Sequence, residues 1–105
     1  MDSTNLFNVA SGLLAKNPPP MAVEAWGFGG YAENPDSASD VDILLIFRDG
    51  ALHKREEIWE HCAALKVTFE SLTGKELDIS RLTAKEAADT GFIAITNAIH
   101  IWSHS

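Results

Sequence analysis

The run Asp40-Val41-Asp42-Ile43-Leu44-Leu45-Ile46-Phe47 limits what this chain can fold into more than any other stretch. Apart from its two acids it is wholly apolar and rich in β-branched and aromatic residues, which predicts a strand over residues 41–47. Successive side chains of a strand point to opposite faces, so Asp40 and Asp42 share one face, about 7 Å apart at their Cα atoms for a rise of ~3.3 Å per residue. Val41, Ile43 and Leu45 point together to the other face, into the core. Two carboxylates at the mouth of a buried strand repel each other unless a cation lies between them, and hard oxygen ligands suit Mg²⁺. A solvated strand entrance explains an Asp-x-Asp taken singly equally well.

Upstream, residues 21–28 predict a first strand that runs into Gly27-Phe28-Gly29-Gly30. Gly29 and Gly30 let the backbone turn sharply and approach a ligand with no Cβ in the way. A short helix starting there would present free N–H groups to an anion. Residues 32–39, with Asn34-Pro35-Asp36, are polar and loop-like. A doubled glycine by itself is an ordinary turn; what distinguishes this one is its position, a short loop ahead of the paired acids.

An apolar residue, a Gly-Gly or Gly-Ser pair, a gap of about ten residues and then Asp-x-Asp among apolar neighbours resembles the DNA polymerase β-type nucleotidyltransferase superfamily. The matching residues are Phe28-Gly29-Gly30 and Asp40-Val41-Asp42-Ile43. That superfamily has a third carboxylate in an apolar-Asp-apolar setting, which Leu77-Asp78-Ile79 matches. The resemblance spans nearly the whole chain, at the size of the members called minimal nucleotidyltransferases. It implies an α+β fold, a mixed sheet of about four strands with helices packed on it. It also implies Mg²⁺-dependent transfer of a nucleoside monophosphate, AMP from ATP by default, to a hydroxyl. Asp40, Asp42 and Asp78 would be the catalytic metal ligands, two Mg²⁺ ions being held when nucleotide is bound. Gly29, Gly30 and Ser39 would contact the nucleotide. Many members carry serine and arginine where this chain has Gly30 and Tyr31, which removes a hydroxyl and a cation from the phosphate site. Kanamycin nucleotidyltransferases have a further domain that holds the acceptor; here the acceptor must come from another polypeptide or a second copy in a homo-oligomer. Minimal members pair with a helical HEPN protein as toxin and antitoxin, so a HEPN-type partner is expected. The rival expectation is an acidic antitoxin of the same fold whose activity has decayed.

Composition fits this reading. A chain of 105 residues, 46% hydrophobic and 22% charged, suits one domain with one core. A formal net charge of −7 argues against an extended nucleic-acid surface, which needs arrays of lysine and arginine. The single cysteine, Cys62, excludes an internal disulfide and reads as a buried, inert thiol. No leader pattern and no apolar run of membrane-spanning length stand in the sequence, so a cytoplasmic protein is expected.

The remaining elements follow from local signals. Ser3 or Thr4 is a candidate cap for a first helix with Leu6, Val9, Leu13 and Leu14 in a stripe, stopped by Asn17-Pro18-Pro19-Pro20. A long helix over residues 52–73 places Ile58, Trp59, Cys62, Leu65, Phe69 and Leu72 on a buried face, with Gly74 past its end. Lys54, Arg55, Glu56 and Glu57 form its solvated start. A third strand over 76–80 leads into a capping box at Thr83-Ala84-Lys85-Glu86. A helical turn over 92–96 and a last strand over 99–102 complete the order. His53, His61, His100 and His104 are too scattered to form a metal cluster.

Overall fold

In the computed structural model, which describes residues 5–104, four strands form one mixed sheet in the order β3-β2-β1-β4. The chain runs α1 (Leu6–Lys16), β1 (Ala22–Phe28), α2 (Gly29–Glu33), β2 (Asp40–Phe47), a 3₁₀ turn (Ala51–Lys54) and α3 (Arg55–Thr73). It continues with β3 (Glu76–Thr83), α4 (Ala84–Thr90), α5 (Phe92–Thr96) and β4 (Ile99–Ser103). β1 pairs antiparallel with β2 and β4, whereas β2 and β3 run parallel over eight residue pairs. A parallel pair needs a long crossover, and α3 is that connection. The α+β class and the four-stranded mixed sheet agree with the sequence reading. No helix among the described residues is long and apolar enough to cross a membrane.

The alternation of β2 divides the core between the two faces of the sheet. Val41, Ile43, Leu45 and Phe47 join Phe7, Leu14, Ile58, Leu65 and Phe69, so α1 and α3 cover that face. Leu44 and Ile46 point the other way and meet Ala87, Phe92 and Ile93, which brings α4 and α5 onto the opposite face. Asp40 and Asp42 lie on this second face, at the end of β2 away from Leu44 and Ile46.

Several ends are fixed as the sequence suggests. Thr83 accepts from the Glu86 N–H while the Glu86 carboxylate accepts from the Thr83 N–H, completing the capping box. Gly74 ends α3 with φ 75°, a left-handed conformation that glycine adopts without a Cβ penalty. Lys54 pairs with Glu57 at 3.5 Å on the solvated start of α3.

Other expectations are corrected. The cap of α1 is Asn5, whose side chain accepts from the Phe7 N–H; Ser3 and Thr4 lie outside the described residues. Met21 has φ 64° and precedes β1, which begins at Ala22. β3 continues to Thr83, past the Ser80 expected, because pairing with buried β2 holds Arg81 and Leu82 in the ladder. Trp59 and Leu72 are not core: they are 62% and 64% exposed. The buried stripe of α3 is Ile58, Cys62, Leu65 and Phe69. Trp59 stands a 100° step from Ile58 at 3.6 residues per turn. Leu72 points nearly along the stripe but occupies the last turn, and direction buries a side chain only where a facing layer reaches it.

Candidate functional site

Register brings the acids together. Asp42 of β2 is directly paired with Asp78 of β3, and Asp40 lies two residues earlier on the same face as Asp42. One carboxylate oxygen from each of Asp40, Asp42 and Asp78 lies within 4.8 Å of the others. Asp40 and Asp42 are partly buried and Asp78 is exposed. The ion pairs among the described residues, Lys54–Glu57 and Lys85–Asp89, involve none of the three.

The glycine turn is part of the same construction. β1 ends at Phe28, opposite Asp42, so the next residue must turn across the end of β2. Gly29 does so with φ 80°, and any Cβ there would strike the Asp42 carboxylate. The space that glycine frees is thus filled by an acid of the cluster. Gly30, the second residue of α2, is exposed and has no atom within 4 Å of where a Cβ would stand. Ser39 is exposed beside Asp40, at the end of the loop after α2. Lys75 fastens that loop to the start of β3 by donating from Nζ to the Ala38 carbonyl at 2.8 Å. Lys75 thus ties the residues just before Asp40 to the start of β3, a contact that no spacing in the sequence reveals.

Tyr31, which follows the glycine pair, serves packing. Its hydroxyl accepts from the Leu6 N–H at 2.8 Å, and its ring meets Phe7 edge-on at 4.9 Å. Phe28, across from Asp42, packs edge-on against Phe92 of α5 at 5.0 Å. This contact closes the apolar part of the face next to the acids.

Charge crowding has a direct consequence at Asp42. Partial burial, then the charges of Asp40 and Asp78 and a hydrogen bond with Asp78, push its pKa above the usual carboxylate value. A bound cation would reverse this penalty. The donor set fits such an ion. Three carboxylates offer hard oxygens, and Mg–O distances of ~2.1 Å place two ligands of one ion up to about 4.2 Å apart. A slight closing of the acids from their 4.8 Å spread would bring all three within reach of one ion.

Elsewhere, Cys62 is buried, and burial pushes its thiol pKa up against the opposing charge and hydrogen bond of Arg81, which fits an inert thiol. The histidines do not join the acids: His61 reaches the Asn17 carbonyl, and His100 reaches Ser103 and the Trp26 ring. Comparison of the chain with protein-family models, curated proteins and solved structures produced no match in any of the three.

Proposed function

We propose that the chain is a Mg²⁺-dependent nucleotidyltransferase of the polymerase β-like kind that moves AMP from ATP to a hydroxyl of a protein acceptor. The observation that carries this reading is the meeting of Asp40, Asp42 and Asp78 at the open end of a sheet face, beside the Gly29 turn and with none of the three in an ion pair among the described residues. Acids arranged this way destabilise the apo protein, so their arrangement is better explained by a ligand than by folding.

Asp40 and Asp42 would hold the Mg²⁺ that accompanies the triphosphate, and Asp78 would complete the set for a second ion. The metal supplies charge neutralisation at the phosphates and a lowered pKa for an incoming hydroxyl. Gly29 leaves room for the Asp42 carboxylate, and the backbone at Gly30 and the hydroxyl of Ser39 would contact the phosphate chain. The acceptor oxygen attacks the α-phosphorus, its proton passes to solvent or a carboxylate, and the bond to pyrophosphate breaks in line. A helical HEPN-type toxin is the acceptor proposed by analogy of kind.

Gly30 and Tyr31 favour a second reading, an acidic antitoxin of the same fold that binds its partner without catalysis. Incubation with α-³²P-labelled ATP, Mg²⁺ and the protein encoded alongside separates the two. Label on the partner, abolished by Asp40→Ala, supports transfer. Intact partner binding with no label from any of the four nucleoside triphosphates would falsify it.

A further inference from the structure

The acids have unlike neighbours on their two sides. The sheet order β3-β2-β1-β4 puts the Gly29 turn on the β1 side of Asp42 and places Asp78 on the other. Beyond Asp78, over the edge of β3, a groove of about 730 Å³ is lined by Asp42 and Asp78 together with Lys66, Arg81 and Trp59. A concavity of that size suits a small molecule. Because α3 returns the chain between two parallel strands, it runs opposite to β3, so Lys66 stands towards Asp78 and Trp59 towards Arg81. From Asp78 to Arg81 the strand advances about 10 Å at ~3.3 Å per residue, a span that a nucleoside monophosphate covers.

The groups along this groove are not used by the fold. Trp59 lies outside the buried stripe of α3 and is 62% exposed, so its indole contributes little to the core. Lys66 is half-buried, and neither it nor Arg81 is in an ion pair among the described residues. Arg81 reaches Cys62, whose thiol does not neutralise it. Glu70, a further acid of the groove, accepts from the Leu77 N–H at 3.4 Å. Carboxylates, then cations, then a bare aromatic face thus follow one another. A charged peptide of either sign would be repelled by part of this lining, and a second copy of a chain of net charge −7 brings more acid than base. A nucleotide with its Mg²⁺ matches all three kinds of group: the ion meets the acids, a phosphate meets the cations and the base meets the indole.

We infer that the groove between β3 and α3 is the nucleoside subsite, in which the base of a purine nucleotide stacks on Trp59 with Arg81 beside it and Lys66 meets the α-phosphate. The placement of the ion and the phosphates rests on the transfer reading above; the stacking on Trp59 does not. β1 and β3 flank β2 on opposite sides, so a nucleotide whose terminal phosphates turn towards Gly30 carries its nucleoside towards β3. An aromatic platform accepts any base by its π-face and favours the larger ring system. An arginine beside the base can donate to N7, the acceptor that adenine and guanine share and that pyrimidines lack. The class selected is therefore purine nucleoside triphosphates, ATP and GTP alike, over CTP and UTP.

The test compares the four nucleoside triphosphates with inorganic tripolyphosphate, which lacks a nucleoside, each with Mg²⁺. Calorimetry gives the affinities, and tryptophan fluorescence reports stacking, since Trp59 is exposed while Trp26 and Trp102 are half-buried and buried. ATP and GTP should bind alike, about three- to tenfold more tightly than CTP and UTP, and quench the fluorescence; tripolyphosphate should bind more weakly and not quench. Trp59→Ala, at an exposed position, should weaken ATP binding about tenfold and leave tripolyphosphate unchanged, and Trp59→Phe should restore most of the loss. Lys66→Gln should weaken both ligands. Tripolyphosphate bound as tightly as ATP, or ATP binding unmoved by Trp59→Ala, overturns the subsite and leaves the transfer reading standing. Self-association of the chain that Trp59→Ala abolishes also overturns it, a second copy then filling the groove. Purine binding that depends on Trp59, in a protein that transfers no label, sustains the subsite and counts only against the transfer reading. Binding of no nucleotide overturns both.

Discussion

The two ends of one face of β2 meet opposite fates. At the far end Leu44 and Ile46 are buried under α4 and α5. At the near end, on the same face of the same strand, Asp40 and Asp42 gather Asp78 beside them and remain partly open. Backbone pairing is continuous through both ends, so the ladder does not account for the difference. Side-chain chemistry does: apolar surface attracts a covering layer, whereas a helix laid over the acids would desolvate three charges without partners. The open end is kept open by what it contains.

Removing an acid should break the comparison most sharply at the level of activity. With Asp40→Ala, label transfer from ATP to the partner should fall by at least about 10²–10³-fold, as expected when a group aimed at developing transition-state charge is lost. The same variant should melt no lower than the wild type in metal-free buffer. Single-turnover transfer and thermal melts check the two halves; full transfer activity would remove the acid end from the chemistry.

At the other end the effect belongs to stability. Leu44→Ala empties a fully buried site and should cost about 2–5 kcal/mol in urea unfolding, the range for leucine truncation in a packed core. A loss below about 1 kcal/mol would mean that α4 and α5 close over the gap and that the cover is looser than its contacts indicate.

How far these regions are legible in the sequence follows the same division. The strand, its alternation and the pairing of Asp40 with Asp42 on one face are local and can be read directly. The capping box at Thr83 and Glu86 and the stop at Gly74 are likewise carried by neighbouring residues. Trp59 and Leu72 mislead because helical spacing gives direction without saying which layer stands opposite. Arg81 conceals the length of β3, since a charge interrupts the apolar pattern while parallel pairing holds it in the ladder. The Lys75 bond to Ala38 and the Leu77 N–H bond to the Glu70 carboxylate join residues that no local pattern pairs. Asp78 could be singled out only by resemblance; register with Asp42 is what places it.

Gly29 lies at the seam between the glycine turn and the acids. Gly29→Ala combines a left-handed φ with a collision against the Asp42 carboxylate. It should cost about 1–3 kcal/mol, the usual cost of forcing a side chain into that backbone region. It should also blunt stabilisation by Mg²⁺, because Asp42 must move aside. Melts with and without the ion check both effects, and an unchanged Mg²⁺ response would show that Asp42 is not held by the turn.

A smaller effect depends on pH. The pKa of Asp42 is higher folded than unfolded, so its contribution to stability is fully present at low pH and is lost as pH rises through the folded value. Asp42→Asn lacks that loss. Relative to the wild type, the variant should gain stability from about pH 4 upward, and the gain should disappear when Mg²⁺ is added. Urea midpoints for both proteins, taken from acid to neutral pH at low salt, test the sign. A variant that becomes less stable relative to the wild type over this range would show that the acids are not in net repulsion.

The smallest change concerns the open space beside the acids. Gly30 is exposed, its φ lies outside the left-handed region, and no atom stands near the position of a Cβ, so a serine fits without rearrangement. Gly30→Ser should leave stability unchanged or raise it by a few tenths of a kcal/mol, because glycine is the poorer residue in the first turn of a helix. It should also tighten binding of ATP with Mg²⁺ by about 2–10-fold, the worth of one added hydrogen bond to phosphate. Tyr31→Arg is the informative contrast. It discards the Leu6 N–H bond and the edge contact with Phe7, so it should loosen α1 from α2 and lower the melting temperature even if the new cation reaches a phosphate. Isothermal titration of both variants separates the cases. A Gly30→Ser protein that folds as the wild type but binds nucleotide no better would place the triphosphate away from the glycine turn, and the acids alone would then define the site.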